Sequence, residues 1–209
     1  MNRKLDQYIK EHSSGEDPVL EDLYRQTYLR FVNPNMSTGY LQGKFLEMIS
    51  KMINPEHILE IGTFTGYSAI CLAKGLRQGG KLITIELNDE LKEFSHSYFI
   101  RAGLDNVILQ KTGNAIDIIP SLKMMFDLVY IDGDKREYSD YYKLVKDKVT
   151  PGGYIIADNV LWGEKVLDTL TTDKQSVGII DFNNMIMNEK GIEHVIIPLR
   201  DGITLIRKI

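Results

Sequence analysis

The chain has 209 residues, 43% apolar and 26% charged, which excludes a disordered polymer and suits one domain with a proper core. A formal net charge of −4 excludes an overall basic footprint for non-specific nucleic-acid binding, and a single cysteine, Cys71, excludes an internal disulfide framework. The opening MNRKLDQYIKEHSS has no apolar stretch of a signal peptide, and no run reaches the roughly 18 apolar residues of a membrane span, so a cytoplasmic protein without a membrane partner is expected.

Taken in chain order, residues 1–53 read as helical. Leu5, Tyr8 and Ile9 make a short amphipathic turn, and Asp17-Pro18 is a helix start with proline at the first helical position. In YLQGKFLEMISKMI, Leu41, Phe45, Met48, Ile49 and Met52 form one helical stripe that reads as core. From Asn54-Pro55 onward strands and helices alternate. Strands are expected over 57–61, 81–86, 106–110, 126–132 and 152–158, with helices over 66–76, 89–103, 115–122, 136–149 and 177–191 between and after them. IEHVIIPL and GITLIRKI, joined by Arg200-Asp201-Gly202, close the chain as a hairpin. This alternation predicts an α/β, Rossmann-like, doubly wound sheet over 54–209, with the last strand antiparallel and the helices of 1–53 completing a single domain, 1–209.

Ligands of such sheets bind beyond the carboxyl ends of the strands, so the residues there are the candidates. After the first strand comes LEIGTFTGYS, where Gly62 and Gly66 permit a tight turn and close approach to a ligand. The spacing is not the G-x-G-x-x-G of dinucleotide binding, and Glu60 would repel a pyrophosphate while attracting a sulfonium or ammonium group. S-adenosylmethionine is therefore favoured over a dinucleotide. Glu86 ends the second strand, 20 residues beyond Gly66, where a carboxylate accepts ribose hydroxyls. Gly113-Asn114-Ala115 could pack against an adenine ring, while Asp117 serves equally well as a helix cap. After the fourth strand stand Asp132, Asp134 and Lys135, and after the fifth Asp158 and Asn159. Adjacent strand ends lie about 5 Å apart, so Asp132, Asp158 and Asn159 could meet around one ion. An all-oxygen set suits Mg²⁺, with Ca²⁺ or Mn²⁺ as alternatives, and argues against zinc. His12, His57, His96 and His194 read as surface or packing residues, Cys71 as a small core residue, and Tyr141-Tyr142 as divided between core and surface.

These motifs resemble the cation-dependent class I S-adenosylmethionine O-methyltransferases, the family of the caffeoyl-CoA and catechol enzymes. LEIGTFTGYSA, DGDK, DNVLW and RDGITLIRK carry the likeness, with a looser match at STGYLQGKFL, over roughly residues 36–209. The resemblance implies a seven-stranded sheet of order 3-2-1-4-5-7-6 and, in many members, a homodimer. It implies cofactor contacts from Thr38, Glu60, Gly62, Thr63, Ser68, Glu86, Ala115 and Asp132. It also implies a divalent cation on Asp132, Asp158 and Asn159, with Lys135 as general base. The acceptor it implies is a small phenolic or catechol-like molecule. Gly133 stands where many members have Ala, and Glu137 where plant-type members often have Asn. The segment 163–176 and the N-terminal helices carry no assignable motif and are expected to shape substrate choice. Three rivals remain at this stage: a tRNA hydroxyuridine methyltransferase of the same superfamily, which the acidic charge disfavours, a nucleotide-dependent oxidoreductase and a non-catalytic cofactor-binding protein.

Overall fold

The computed structural model describes residues 3–168 and 170–209, so Met1 and Asn2 of the opening segment, and Thr169 of the 163–176 segment, lie outside the described residues. Three helices come first: α1 (Arg3–Glu11), α2 (Pro18–Arg30) and α3 (Tyr40–Ile53). Then follow β1 (His57–Ile61), α4 (Tyr67–Ala73), β2 (Lys81–Glu86), α5 (Lys92–Arg101), β3 (Ile108–Thr112), α6 (Ala115–Ile118) and β4 (Phe126–Ile131). The chain ends with α7 (Tyr138–Val145), β5 (Val149–Asp158), α8 (Lys174–Asn188), β6 (Ile192–Ile197) and β7 (Ile203–Lys208). The strands form one seven-stranded sheet of order β3-β2-β1-β4-β5-β7-β6. All neighbours are parallel except β5–β7 and β6–β7. The expected architecture is the one observed.

Alternation along the strands divides the core between two faces. Ile58, Leu82, Leu128, Tyr130 and Ile156 pack under the helices α2 to α5, whereas Leu59, Ile83, Val129, Ile131 and Ala157 face the side of α6, α7 and α8. Both faces of the central strands are covered, which is why β1, β2 and β4 read as almost unbroken apolar runs.

Several element boundaries differ from the sequence reading. β5 begins at Val149, because Val149 pairs with Phe126 before the register shifts and resumes at Tyr154 opposite Leu128. α8 begins at Lys174, started by Asp173, whose carboxylate accepts from the Ser176 amide at 3.1 Å. Asp17 caps α2 as expected, accepting from the Val19 amide at 2.8 Å.

The apolar stripe of α3 is the main correction. Met48 and Met52 are 57% and 78% exposed, and Leu41, Phe45 and Ile49 are only half-buried. The buried face instead carries Gln42, Gly43, Leu46, Glu47 and Ser50. The cause is close packing on α4. A Cβ on Gly43 would fall 2.5 Å from the Tyr67 ring and 2.9 Å from the Cys71 sulfur. Ser50 donates to the Leu72 carbonyl at 2.6 Å. Small and polar residues thus bring the two helices together; Met48 and Met52 turn outward, while Phe45 and Ile49 pack at the edge of the core.

Leu46→Ala is therefore expected to cost about 2–5 kcal/mol in urea unfolding. Met52→Ser should stay within about 0.5 kcal/mol of the unmodified protein. Equal losses would restore the outward stripe to the core.

Candidate active site

Strand register places the chemistry on one edge. Ile61 stands opposite Ile131, and Ile131 opposite Ala157, so Gly62, Asp132 and Asp158 emerge side by side. The ladder continues one step beyond the strands, with the Asp132 amide donating to the Ile61 carbonyl at 2.8 Å and the Gly62 amide to the Ile85 carbonyl at 2.9 Å. Gly62 has φ +96°, and a Cβ there would lie 2.2 Å from the Asp132 carbonyl oxygen. Only glycine lets the β1 turn approach the β4 end so closely.

A cleft of about 820 Å³ opens over this edge. Among the residues anticipated from the sequence, Thr38, Gly62, Thr63, Ser68, Glu86, Ala115, Asp132, Lys135, Asp158 and Asn159 all line it. Glu60 does not reach the wall; it is fully buried behind it. Asp117 also lies off the cleft and is exposed, and Asn114 does the capping of α6 by accepting from the Ile116 amide at 2.9 Å. The four histidines are exposed or half-buried and away from the cleft, and Cys71 is buried in the core.

Each acidic group is held differently. Glu86 accepts from the Phe64 amide at 2.7 Å and the Asn88 amide at 3.0 Å, which fixes its carboxylate at the end of β2. Glu60 Oε2 accepts from the Thr84 hydroxyl at 2.6 Å, whereas its Oε1 is buried without a partner. Burial pushes the Glu60 carboxyl up to about 8 against the pull of the Ser68 and Thr84 hydroxyls. Asp158 Oδ2 accepts from the Tyr130 hydroxyl at 2.8 Å and from the Gln42 amide, and its Oδ1 from the Asn159 amide at 2.7 Å. Burial raises the Asp132 carboxyl above its ordinary range, the Lys135 ammonium opposes this, and the Asp158 charge adds to it.

Lys135 is 6% exposed. Its Nζ donates to Asp132 Oδ1 at 2.8 Å, the Gly133 carbonyl at 3.1 Å and the Tyr138 hydroxyl at 2.8 Å. Tyr138 in turn donates to the Asp158 carbonyl at 2.9 Å, tying the β4 and β5 exits together.

The residues present fit a divalent cation by donor chemistry: two carboxylates and one amide oxygen share a cleft wall, and the carboxylates repel one another. Among the described residues no three His, Cys, Asp or Glu side chains cluster as metal ligands. Asn159 holds φ +58°, a left-handed conformation that Asn tolerates better than most residues. The residues also fit a cationic methyl donor, since the close-approach turn at Gly62 and the ribose-type acceptor Glu86 occupy one end of the same edge.

Sequence reasoning missed four supporting residues. Gln42 and Tyr130 are buried donors to Asp158, and Arg200 donates to the Ser37 and Thr38 carbonyls and to Gln42 Oε1. Tyr141 is buried with Tyr142 rather than divided from it, and lines the cleft. Two of the four lay inside the motifs that carry the likeness, Gln42 in STGYLQGKFL and Arg200 in RDGITLIRK.

Comparisons with known proteins agree with this geometry. The O-methyltransferase family profile matches residues 10–209. A catechol O-methyltransferase of Niastella koreensis is 35% identical over 170 residues, covering 79% of this chain and 77% of its own. A caffeoyl-CoA O-methyltransferase of Petroselinum crispum is 31% identical over 219 residues, covering 98% and 90%. Among solved structures, an O-methyltransferase of Bacillus cereus in complex with S-adenosylhomocysteine superposes with a TM-score of 0.93 at 28% identity, covering 99% of this chain and 97% of that one. A Streptomyces achromogenes O-methyltransferase involved in tomaymycin synthesis, in complex with S-adenosylmethionine, gives 0.93 at 30% identity, covering 98% and 96%. The chain belongs to the O-methyltransferase family and is an S-adenosylmethionine-dependent enzyme, which removes the oxidoreductase and the non-catalytic readings. Among the described residues no helix is long and apolar enough to cross a membrane.

The Glu60 shift has a sign that melting curves can read. Its folded value lies above the ordinary 4.5, so the folded state binds more protons than the unfolded one as pH rises from about 4.5 to about 8. Its contribution is favourable below that window and is lost through it. The ligand-free protein should therefore lose stability across the window, and Glu60→Gln should flatten that slope. An unchanged slope in the variant would show that Glu60 is not the group responsible.

Proposed function

We propose that this member of the O-methyltransferase family methylates one hydroxyl of a small vicinal-diol aromatic, with a divalent cation held by Asp132, Asp158 and Asn159. Support comes above all from one observation: Asp132 and Asp158 leave adjacent strands in register beside the buried amine of Lys135. In this reading Thr38, Gly62, Thr63, Ser68, Glu86, Ala115 and Asp132 contact the methyl donor, Glu86 through the ribose, with Glu60 placed behind them. The donor supplies an electrophilic methyl on a sulfonium sulfur. A bound cation, Mg²⁺ first among the candidates, would lower the pKa of an acceptor hydroxyl.

The chain's own residues do the rest. In this reading Lys135 Nζ is the general base, held beside Asp132 at 2.8 Å. The Tyr138 hydroxyl accepts one Nζ hydrogen and so aims the amine. With Lys135 in its neutral amine form, one of its three N–H contacts given up, the acceptor's O–H proton would pass to the Nζ lone pair as the methyl moves from sulfur to oxygen, leaving a neutral thioether. Gln42, Tyr130 and Arg200 keep Asp158 in place. Trp162 adds a buried indole N–H without a partner on the cleft wall, a donor for an acceptor oxygen. A homodimer and a cytoplasmic setting, to which the single buried Cys71 is suited, belong to the same proposal.

Asp158→Ala, or EDTA treatment of the unmodified protein, should abolish catechol methylation. S-adenosylhomocysteine should still raise the melting temperature in both cases. Lys135→Met should lower kcat by about 10²–10⁴-fold. Undiminished turnover in EDTA would remove the cation from the mechanism. Labelled methyl appearing in bulk tRNA rather than in catechols would move the acceptor to RNA.

A further inference from the structure

Three carboxylates on the cleft wall, Asp134, Glu137 and Asp201, serve neither the cation nor the methyl donor, and one of them lacks a nitrogen donor. Six acidic side chains line the cleft: Glu86, Asp132, Asp134, Glu137, Asp158 and Asp201. Five accept from nitrogen donors. Glu86 and Asp158 take backbone amides, Asp132 takes Lys135, Asp134 takes the Arg136 guanidinium, and Asp201 takes the Gly163 amide. Glu137 is different. Its Oε2 accepts only the Tyr141 hydroxyl, at 2.6 Å, and among the described residues no Lys, Arg or His forms an ion pair with it.

The cations of the cleft are committed elsewhere. Lys135 fills its three N–H positions with Asp132, Gly133 and Tyr138. Arg136 turns to Asp134, and Arg200 to the Ser37 and Thr38 carbonyls and Gln42. An acceptor with an anionic tail thus meets a free carboxylate and no free cation.

The placement of Glu137 rests on a small residue. A Cβ on Gly133 would fall 2.9 Å from Tyr141 Cε2 and 3.1 Å from its hydroxyl oxygen. The bare Cα of Gly133 lets the Tyr141 ring settle against the β4 exit, and from there the hydroxyl fixes Glu137. The two departures from the family pattern noted in the sequence, Gly133 and Glu137, are thereby one device joined by Tyr141.

We infer that Glu137, positioned by Tyr141 over Gly133, selects acceptors by charge, favouring a vicinal-diol aromatic with an ammonium tail over one with a carboxylate tail. Glu137 is a specificity residue and Tyr141 a positioning residue. The inference rests on the proposed function, and its test separates the two. Three acceptors with a common ring serve as probes: 4-(2-aminoethyl)catechol, 4-ethylcatechol and 3,4-dihydroxyphenylacetate. With Mg²⁺ and S-adenosylmethionine, kcat/KM should be higher for the ammonium probe than for the carboxylate probe. That ratio should fall about tenfold in Glu137→Gln, since a hydrogen bond to a charged group is at stake. Tyr141→Phe and Gly133→Ala should move it the same way by a smaller factor, and added salt should compress it. A ratio unmoved by Glu137→Gln, or a preference for the carboxylate probe in the unmodified protein, overturns the inference. No methylation of 4-ethylcatechol with any divalent cation overturns the proposed function instead. Charge selection is then read by calorimetric binding of the same three probes beside S-adenosylhomocysteine, where equal affinities overturn it and a tighter ammonium probe sustains it.

Discussion

Negative charge crowded into a buried strand edge is the constraint around which this molecule is organised. Glu60, Asp132 and Asp158 stand at or near the exits of β1, β4 and β5, and Glu60 and Asp158 are almost wholly removed from water. A buried carboxylate without compensation costs several kcal/mol, so each must be protonated, paired or heavily hydrogen-bonded. All three solutions occur here. Glu60 is pushed toward its protonated form, Asp132 takes Lys135, and Asp158 collects donors from three directions.

That requirement reaches far along the chain. Asp158 draws Gln42 from α3 and Tyr130 from β4, and Gln42 in turn meets Arg200 from the turn before β7. Arg200 also ties down the Ser37 and Thr38 carbonyls, so the segment leading into α3 is anchored to the C-terminal hairpin through the acidic edge. Close α3–α4 packing through Gly43 and Ser50 is what allows Gln42 to arrive at the correct depth. Helix α3 and the segment leading into it are thus part of the site rather than decoration on the sheet.

This division explains what could be read from the amino-acid order. Strand ends were legible because an apolar run that stops at Asp132 or Asp158 marks both a buried element and its exit. The charge types there then limit the chemistry. Helix faces were harder. The stripe of Leu41, Phe45, Met48, Ile49 and Met52 has the right period for a buried face, but period alone does not say which side a neighbour approaches. Gly43 and Ser50 permit the closer approach and win. The role of Gln42 was not legible locally because its partners lie 88 and 116 positions away. Tyr141 was placed between core and surface because nothing local reveals that Gly133 leaves it a seat.

The two walls of the cleft therefore differ in their freedom to change. On the charged edge, stability and chemistry act through the same atoms. A cation or a sulfonium that binds only the folded chain relieves the repulsion, and at one hundred times its Kd it stabilises by about 2.7 kcal/mol. Altering Asp132, Asp158 or Gln42 disturbs folding and cation binding together, because each is a member of one hydrogen-bonded network. The Gly133–Tyr141–Glu137 unit meets that network at the Gly133 carbonyl, through Lys135, and at the Tyr138 ring, which packs on Tyr141, and it holds no donor to Asp158. A methyl group at 133 or an amide at 137 changes what the acceptor meets without removing a donor from Asp158. Acceptor choice can drift on that wall while the methyl-transfer edge stays fixed, which is the arrangement expected of a fold that keeps one reaction and varies its substrates.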